Sequence, residues 1–205
     1  TAIPTDASTK SARSLADAIN AKSSTTGVTA TAQPASSAAG MFATYGNVAT
    51  SGTGSSYSLS VGGIEIVSQG ENVAAGAGIT AASLDTTLEG PNAVSNALAA
   101  ANITVTGKAA DGTLQFTRAD GSNINIEEVV TGGVSGGIGK ATGATNDGSD
   151  VTIASAITLA SGNASPIVIA GSNPAAAGLT AGTVGSYMDA GFTQDATQAT
   201  GSVVI

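Results

Sequence analysis

The 205 residues include no histidine and no cysteine. Neither a Ser-His-Asp nor a Cys-His arrangement can form, and imidazole or thiolate zinc sites are ruled out with them. Serine with lysine as its base remains as a hydrolase scheme, yet none of Lys10, Lys22, Lys108 or Lys140 has a serine three residues before it. Thr1 has the hydroxyl and free amine of an N-terminal nucleophile. No hydrolase signature lies near it, and an excised fragment is the simpler expectation for a chain beginning there.

Two glycine-rich stretches imitate nucleotide-binding loops. Gly139-Lys140 resembles the end of a phosphate loop, but Val134 stands where the first glycine belongs and Ala141 where a hydroxyl would hold magnesium. Gly76, Gly78 and Ala81 have the spacing of a dinucleotide fingerprint without alternating strands and helices around them. Flexible loops are expected at both. Glu127 and Glu128 are neighbours, so on a strand they point to opposite faces and only one can enter a cleft. Asp147 and Asp150 flank Gly148-Ser149 without the ligand series of a calcium loop. All four carboxylates are expected to be solvated turn residues. The expected site list is therefore empty: no catalytic, cofactor-binding or metal-ligating residue, and no cofactor.

Six cations stand against 14 acids, a net charge of -8, and Lys10, Arg13 and Lys22 crowd near the start. No basic stripe is left to replace the counterions of a nucleic acid, which excludes that partner. No apolar run approaches the roughly 20 residues that cross a bilayer, and TAIPTDASTK lacks the charged-then-apolar layout of an export signal, so a soluble chain with no membrane partner is expected. Aromatic residues make up only 3% and glycines number 28, so burial must come from Ala, Val, Ile and Leu in thin cores. The length suits one or two compact units.

Periodicity places the elements. Ala12, Leu15, Ala16 and Ile19 recur at i, i+3, i+4 and i+7, a narrow apolar stripe on a short helix that leaves Arg13, Asp17 and Asn20 off it. Gly27 ends the connection and VTATA begins a strand. Val94, Ala97, Leu98 and Ala101 repeat the stripe, with Pro91 suited to a first helical turn, so residues 90 to 130 read as a second copy of the same helix-then-strand unit. Alternation then becomes two-fold at Ile103 and Val105, Leu114 and Phe116, and Ile124 and Ile126. With Asp111-Gly112 and Asp120-Gly121 as turns, these predict an antiparallel meander. YSLSVGGIEIV reads as a hairpin closed by Gly62-Gly63, and residues 131 to 150 as a glycine-rich connection. VTIASAITLA and PIVIA suggest further strands that pack with the first unit. The expected fold is α+β: small β-rich units of antiparallel strands and hairpins, with one short helix packed on each sheet. Residues 1–55 with 131–205 form a first unit and residues 56–130 a second, inserted unit; a side-by-side order of consecutive units is the alternative.

The helix and strand together, LADAINA followed by TGVTATA and carried by Ala18 to Ala21 with Thr26 to Ala32, resemble the short unit of the variable outer part of bacterial flagellins and of some hook-associated proteins. The tail AGLTAGTVGSYMDAGFTQDATQATGSVVI is similar to flagellin sequence as well. This resemblance implies a structural, non-enzymatic region of the flagellar filament subunit, secreted to the cell exterior, serving motility and presenting an antigenic and sometimes adhesive surface that permits O-glycosylation. It implies other flagellin subunits as partners, through terminal helices lacking here, with antibodies or a host surface as further contacts and the isolated fragment monomeric. A hook-associated or hook-cap protein is the near alternative. A secreted β-rich adhesin is a different class, and an enzyme a third.

Overall fold

Helices of two or three turns do not persist in water by themselves, so each needs a cap and an apolar face held by a sheet. The computed structural model describes residues 11–162 and 166–170, and the backbone alone of Gly182–Val184 and Gln194–Asp195. The elements run α1 (Ala12–Asn20), α2 (Ser23–Thr26), β1 (Val28–Ala32), β2 (Ala35–Ser36), β3 (Tyr45–Val61), β4 (Ile64–Gln69), α3 (Ala81–Leu88), α4 (Ala93–Ala100), β5 (Ile103–Thr106), β6 (Gln115–Arg118), β7 (Ile124–Ile138), β8 (Ser149–Ile153), β9 (Ile157–Ser161), β10 (Ile167–Ile169), β11 (Gly182–Val184) and β12 (Gln194–Asp195). This is an α+β fold of small antiparallel sheets with a few short helices. Thr1, Lys10 and the flagellin-like tail lie outside the described residues, apart from the backbone of β11 and β12.

α1, α3 and α4 start on one device. Ser11, Thr80 and Asn92 each accept a hydrogen bond from the backbone N–H three residues on, and a serine there (Ser14, Ser83, Ser95) accepts one from the cap's own N–H. Serine replaces the usual Glu or Gln of this reciprocal box. Pro91 falls one residue before the cap of α4, outside the first turn where the sequence had placed it.

The chain divides into two units: Thr1–Ala35, Ala119–Asn123 and Ala154–Ile205 in the first, Ser36–Arg118 and Ile124–Ile153 in the second. In the first, β1 pairs antiparallel with β9 from Val28↔Ser161 to Ala32↔Ile157, and β12 lies on the other side of β9. Ala12, Ala16 and Ile19 of α1 pack on Ala30, Ile157 and Leu159, so the predicted stripe is the buried face of the helix. β10 pairs with β11.

In the second unit a four-stranded sheet runs β4-β3-β7-β8 and a three-stranded one β2-β6-β5. α3 and α4 both pack on β4. Leu59, Val61, Leu84, Leu98, Leu114 and Phe116 are fully buried, and the rings of Phe42 and Phe116 meet edge-on with centroids 5.7 Å apart. The expected hairpin closes at Val61↔Ile64 around Gly62-Gly63.

Four expectations change. The meander does not form, because residues 119–123 belong to the first unit and the chain leaves the second between β6 and β7; β6 pairs with β5, while β7 pairs with β3 and β8. The glycine run after residue 130 is strand as far as Ile138, since β7 continues through TGGVSGGI beside β3. Val151 and Ile153 enter β8 in the second unit, whereas Ile157 and Leu159 join the first. Finally, α3 begins at Ala81, and the Gly76–Ile79 segment before it is pinned: Val48 N–H donates to Ile79 C=O (2.8 Å) and Ile79 N–H to the Gln69 side chain (2.8 Å).

Candidate functional site

In the helix-strand unit of residues 11–32 the hydrogen bonds show how the motif residues work together. Gly162 N–H donates to Gly27 C=O and Gln33 N–H to Ala156 C=O, which makes the odd-numbered residues of β1 those that bond to β9. Val28 and Ala30 therefore aim their backbone groups at the opposite edge. There the carboxamide of Asn20, the last residue of α1, takes both groups of Ala30: its Nδ2 donates to Ala30 O (2.8 Å) and its Oδ1 accepts from Ala30 N (2.8 Å). Val28 N–H donates to Thr26 Oγ1 (3.2 Å), whose own hydroxyl donates to Lys22 O (3.1 Å). Gly27, at φ 69°, supplies the left-handed turn between them. Ile19 faces the core and Asn20 the strand edge, so consecutive residues serve packing and edge closure.

Arg13 joins the same unit to the 119–123 segment. Its N–H donates to Gly121 O (3.1 Å), and its guanidinium pairs with Asp120 and, at 3.9 Å, with Asp17. Partial burial opposes ionisation of Asp120, but hydrogen bonds from Ser122 and the Arg13 charge outweigh it and hold that carboxyl below its ordinary value. Pairs this exposed contribute little stability.

The second unit holds a buried polar cluster that the sequence reading missed. Tyr45 and Tyr57 share a hydrogen bond between hydroxyls (3.1 Å), Tyr57 OH donates to Glu128 Oε1 (2.7 Å), and Ile138 N–H donates to the same oxygen (2.9 Å). Glu128 is 4% exposed, and its Oε2 has no hydrogen-bond partner among the described residues. The expectation that all four carboxylates are solvated fails here, while Glu127, Asp147 and Asp150 are exposed. The signal was present: Ile124, Ile126 and Glu128 share one face of β7 by two-residue alternation, and that face is buried. Burial pushes Tyr45 up to about 12, helped by Glu128 and opposed by the Tyr57 hydrogen bond; Tyr57 is raised by burial, by Tyr45 and by Glu128.

A raised phenol means the fold holds its proton more tightly than the unfolded chain. This contribution is fully present below the ordinary value of 10.0 and is lost as pH rises toward the folded value. Between these limits stability should fall by about 1.4 kcal/mol per pH unit for each phenol still protonated in the fold. In an alkaline titration, ionisation of these two tyrosines should coincide with loss of the far-ultraviolet dichroism. Smooth ionisation near the ordinary value with the fold intact would contradict the burial.

Asp85 is buried too, and its carboxylate is occupied by the N–H groups of Ala109 (2.6 Å) and Ala110 (3.1 Å), which organises the turn after β5. Beside it a shallow cavity is lined by Leu88, Val105 and Leu114, with the exposed pair Lys108 Nζ–Glu89 Oε1 (2.8 Å) at its rim. The hydrogen bond to Glu89 raises the Lys108 ammonium above its ordinary value. Gly139 and Lys140 follow the end of β7 and do not form a phosphate cradle; Gly139 N–H donates to Thr44 O (2.7 Å). Among the described residues no group of three or more Asp and Glu side chains is placed to hold a metal ion, and no helix is long and apolar enough to cross a membrane.

The arrangement is one of packing and edge closure. No curated protein and no solved structure matches the chain. Residues 1–44 match the family model described as the flagellin hook IN motif, and this span contains α1, α2 and β1 with Ile19, Asn20 and Thr26. The chain thus carries a flagellin-related motif, which points to a structural rather than catalytic protein of the bacterial flagellum.

Proposed function

We propose that this chain is the variable outer region of a flagellin, displayed on the exterior of the filament and exported with its subunit. The observation that carries the reading is the match of residues 1–44 to a flagellin-related motif, within which α1 packs on β1. In this reading the contacts with other flagellin subunits belong to terminal helices outside this sequence, and the isolated chain is a monomer, kept apart by its net charge of -8. The nested order is part of the same proposal. An outer unit inserted into a surface connection of another adds exposed surface at small thermodynamic cost, because loop closure depends only weakly on loop length.

The family description names the hook, which favours a hook-associated parent as the second reading. Gold-labelled antibodies raised against the purified chain separate the possibilities. Label along the whole filament is expected. Label confined to the hook, its junction or the filament tip would give the second reading, and label on cells without flagella would give a separate adhesin and remove the proposal.

A further inference from the structure

We propose that Asn20 is a lock on the outer edge of β1, and that it keeps the same strand of a second copy of this chain from adding there. Among the described residues β1 is paired only on its β9 side. An unguarded strand edge is a template for another strand, and proteins commonly protect it with charge, proline or a bulge. The sequence of β1, VTATA, has none of these and alternates β-branched residues. A second copy is the fitting occupant. Every copy offers the same edge, and two such strands can exchange identical N–H and C=O groups about a two-fold axis.

The side chain at position 20 meets the requirement of a lock in a way few others can. A partner residue in an antiparallel hydrogen-bonded pair gives one N–H and one C=O to the residue opposite. The carboxamide of Asn20 presents the same two functions to Ala30, both at 2.8 Å. Aspartate would lack the donor and alanine both groups. Thr26 closes the N–H of Val28 by the same logic. The side chain of Asn20 is itself exposed, so its contribution is made at the edge and not in the core that Ile19 anchors. This inference does not depend on the flagellar reading.

The test uses the whole 205-residue chain, with Asn20→Ala and the double variant Asn20→Ala, Ala30→Pro. In the unmodified chain the Ala30 amide should be protected from hydrogen exchange although it faces the outer edge. In Asn20→Ala it should exchange about tenfold faster or more, and sedimentation should show species that grow with concentration. Proline at position 30 removes the outward N–H without touching a bond to β9, so the double variant should sediment as a single species again. An unprotected Ala30 amide in the unmodified chain would overturn the proposal. So would an Asn20→Ala protein that stays a single species at all concentrations, or association that proline 30 leaves intact. Loss of the fold in Asn20→Ala, read by circular dichroism, would assign Asn20 to folding instead and overturn it too.

Discussion

Gly137→Ala should destabilise the second unit by about 3 to 5 kcal/mol, from backbone strain, overpacking and lost hydrogen bonds together. Gly137 sits in β7 at φ 95°, and an added Cβ would lie 2.5 Å from Glu128 Oε1 and 2.6 Å from Asn146 Nδ2. Neither atom is free to swing away. Glu128 Oε1 holds Tyr57 and Ile138, and Asn146 Nδ2 donates to Gly136 O (2.8 Å). The comparison is Gly139→Ala, where φ is 67° but no atom stands within 4 Å of the new methyl. That change should cost about 1 to 2 kcal/mol from the left-handed backbone alone. Urea unfolding followed by tyrosine fluorescence and by circular dichroism measures both. Equal losses would mean that the buried cluster yields to a methyl group and is not a rigid centre of the β3–β7 pair.

Leu98→Ala should cost about 2 to 5 kcal/mol, the sum of lost transfer energy and a residual cavity. Leu98 is 1% exposed on α4, a helix that packs on β4 and β5 and is too short to hold its shape unaided. Asn96, two residues earlier on the solvent side, is exposed, and Asn96→Ala should stay within about 0.5 kcal/mol. Thermal melts of both variants check the pair. Small and equal shifts would show that the apolar stripe of α4 does not anchor the unit.

Ala12, Leu15, Ala16 and Ile19 were legible as a buried face because a helical stripe depends only on spacing along the chain. The Gly62-Gly63 hairpin was legible for the same reason, since two adjacent residues with positive φ form the turn. α3 escaped notice because AASLDTTL carries only two large apolar residues, Leu84 and Leu88, and buries the charged Asp85 beside them. Glu128 was misplaced for a different reason. Its alternation with Ile124 and Ile126 put it on the inner face, but its partner Tyr57, and Tyr45 bonded to Tyr57, lie on another strand, 71 and 83 residues earlier in the chain.

Local order, then, was written in the amino acids: the stripes, the Gly62-Gly63 turn, and the exclusion of histidine and cysteine chemistry. These rest on interactions between near neighbours, whose geometry the chain itself imposes. Which strands share a sheet was settled only by folding in three dimensions. Residues 119–123 belong to the first unit, so β7 follows β6 in sequence yet pairs with β3, and a glycine-rich stretch that looks like a linker becomes strand because β3 runs beside it. The role of Asn20 belongs to the same category. Its carboxamide meets a strand edge ten residues away only after α1 has docked on β1, because a polar side chain's partner is chosen by what packing brings within reach.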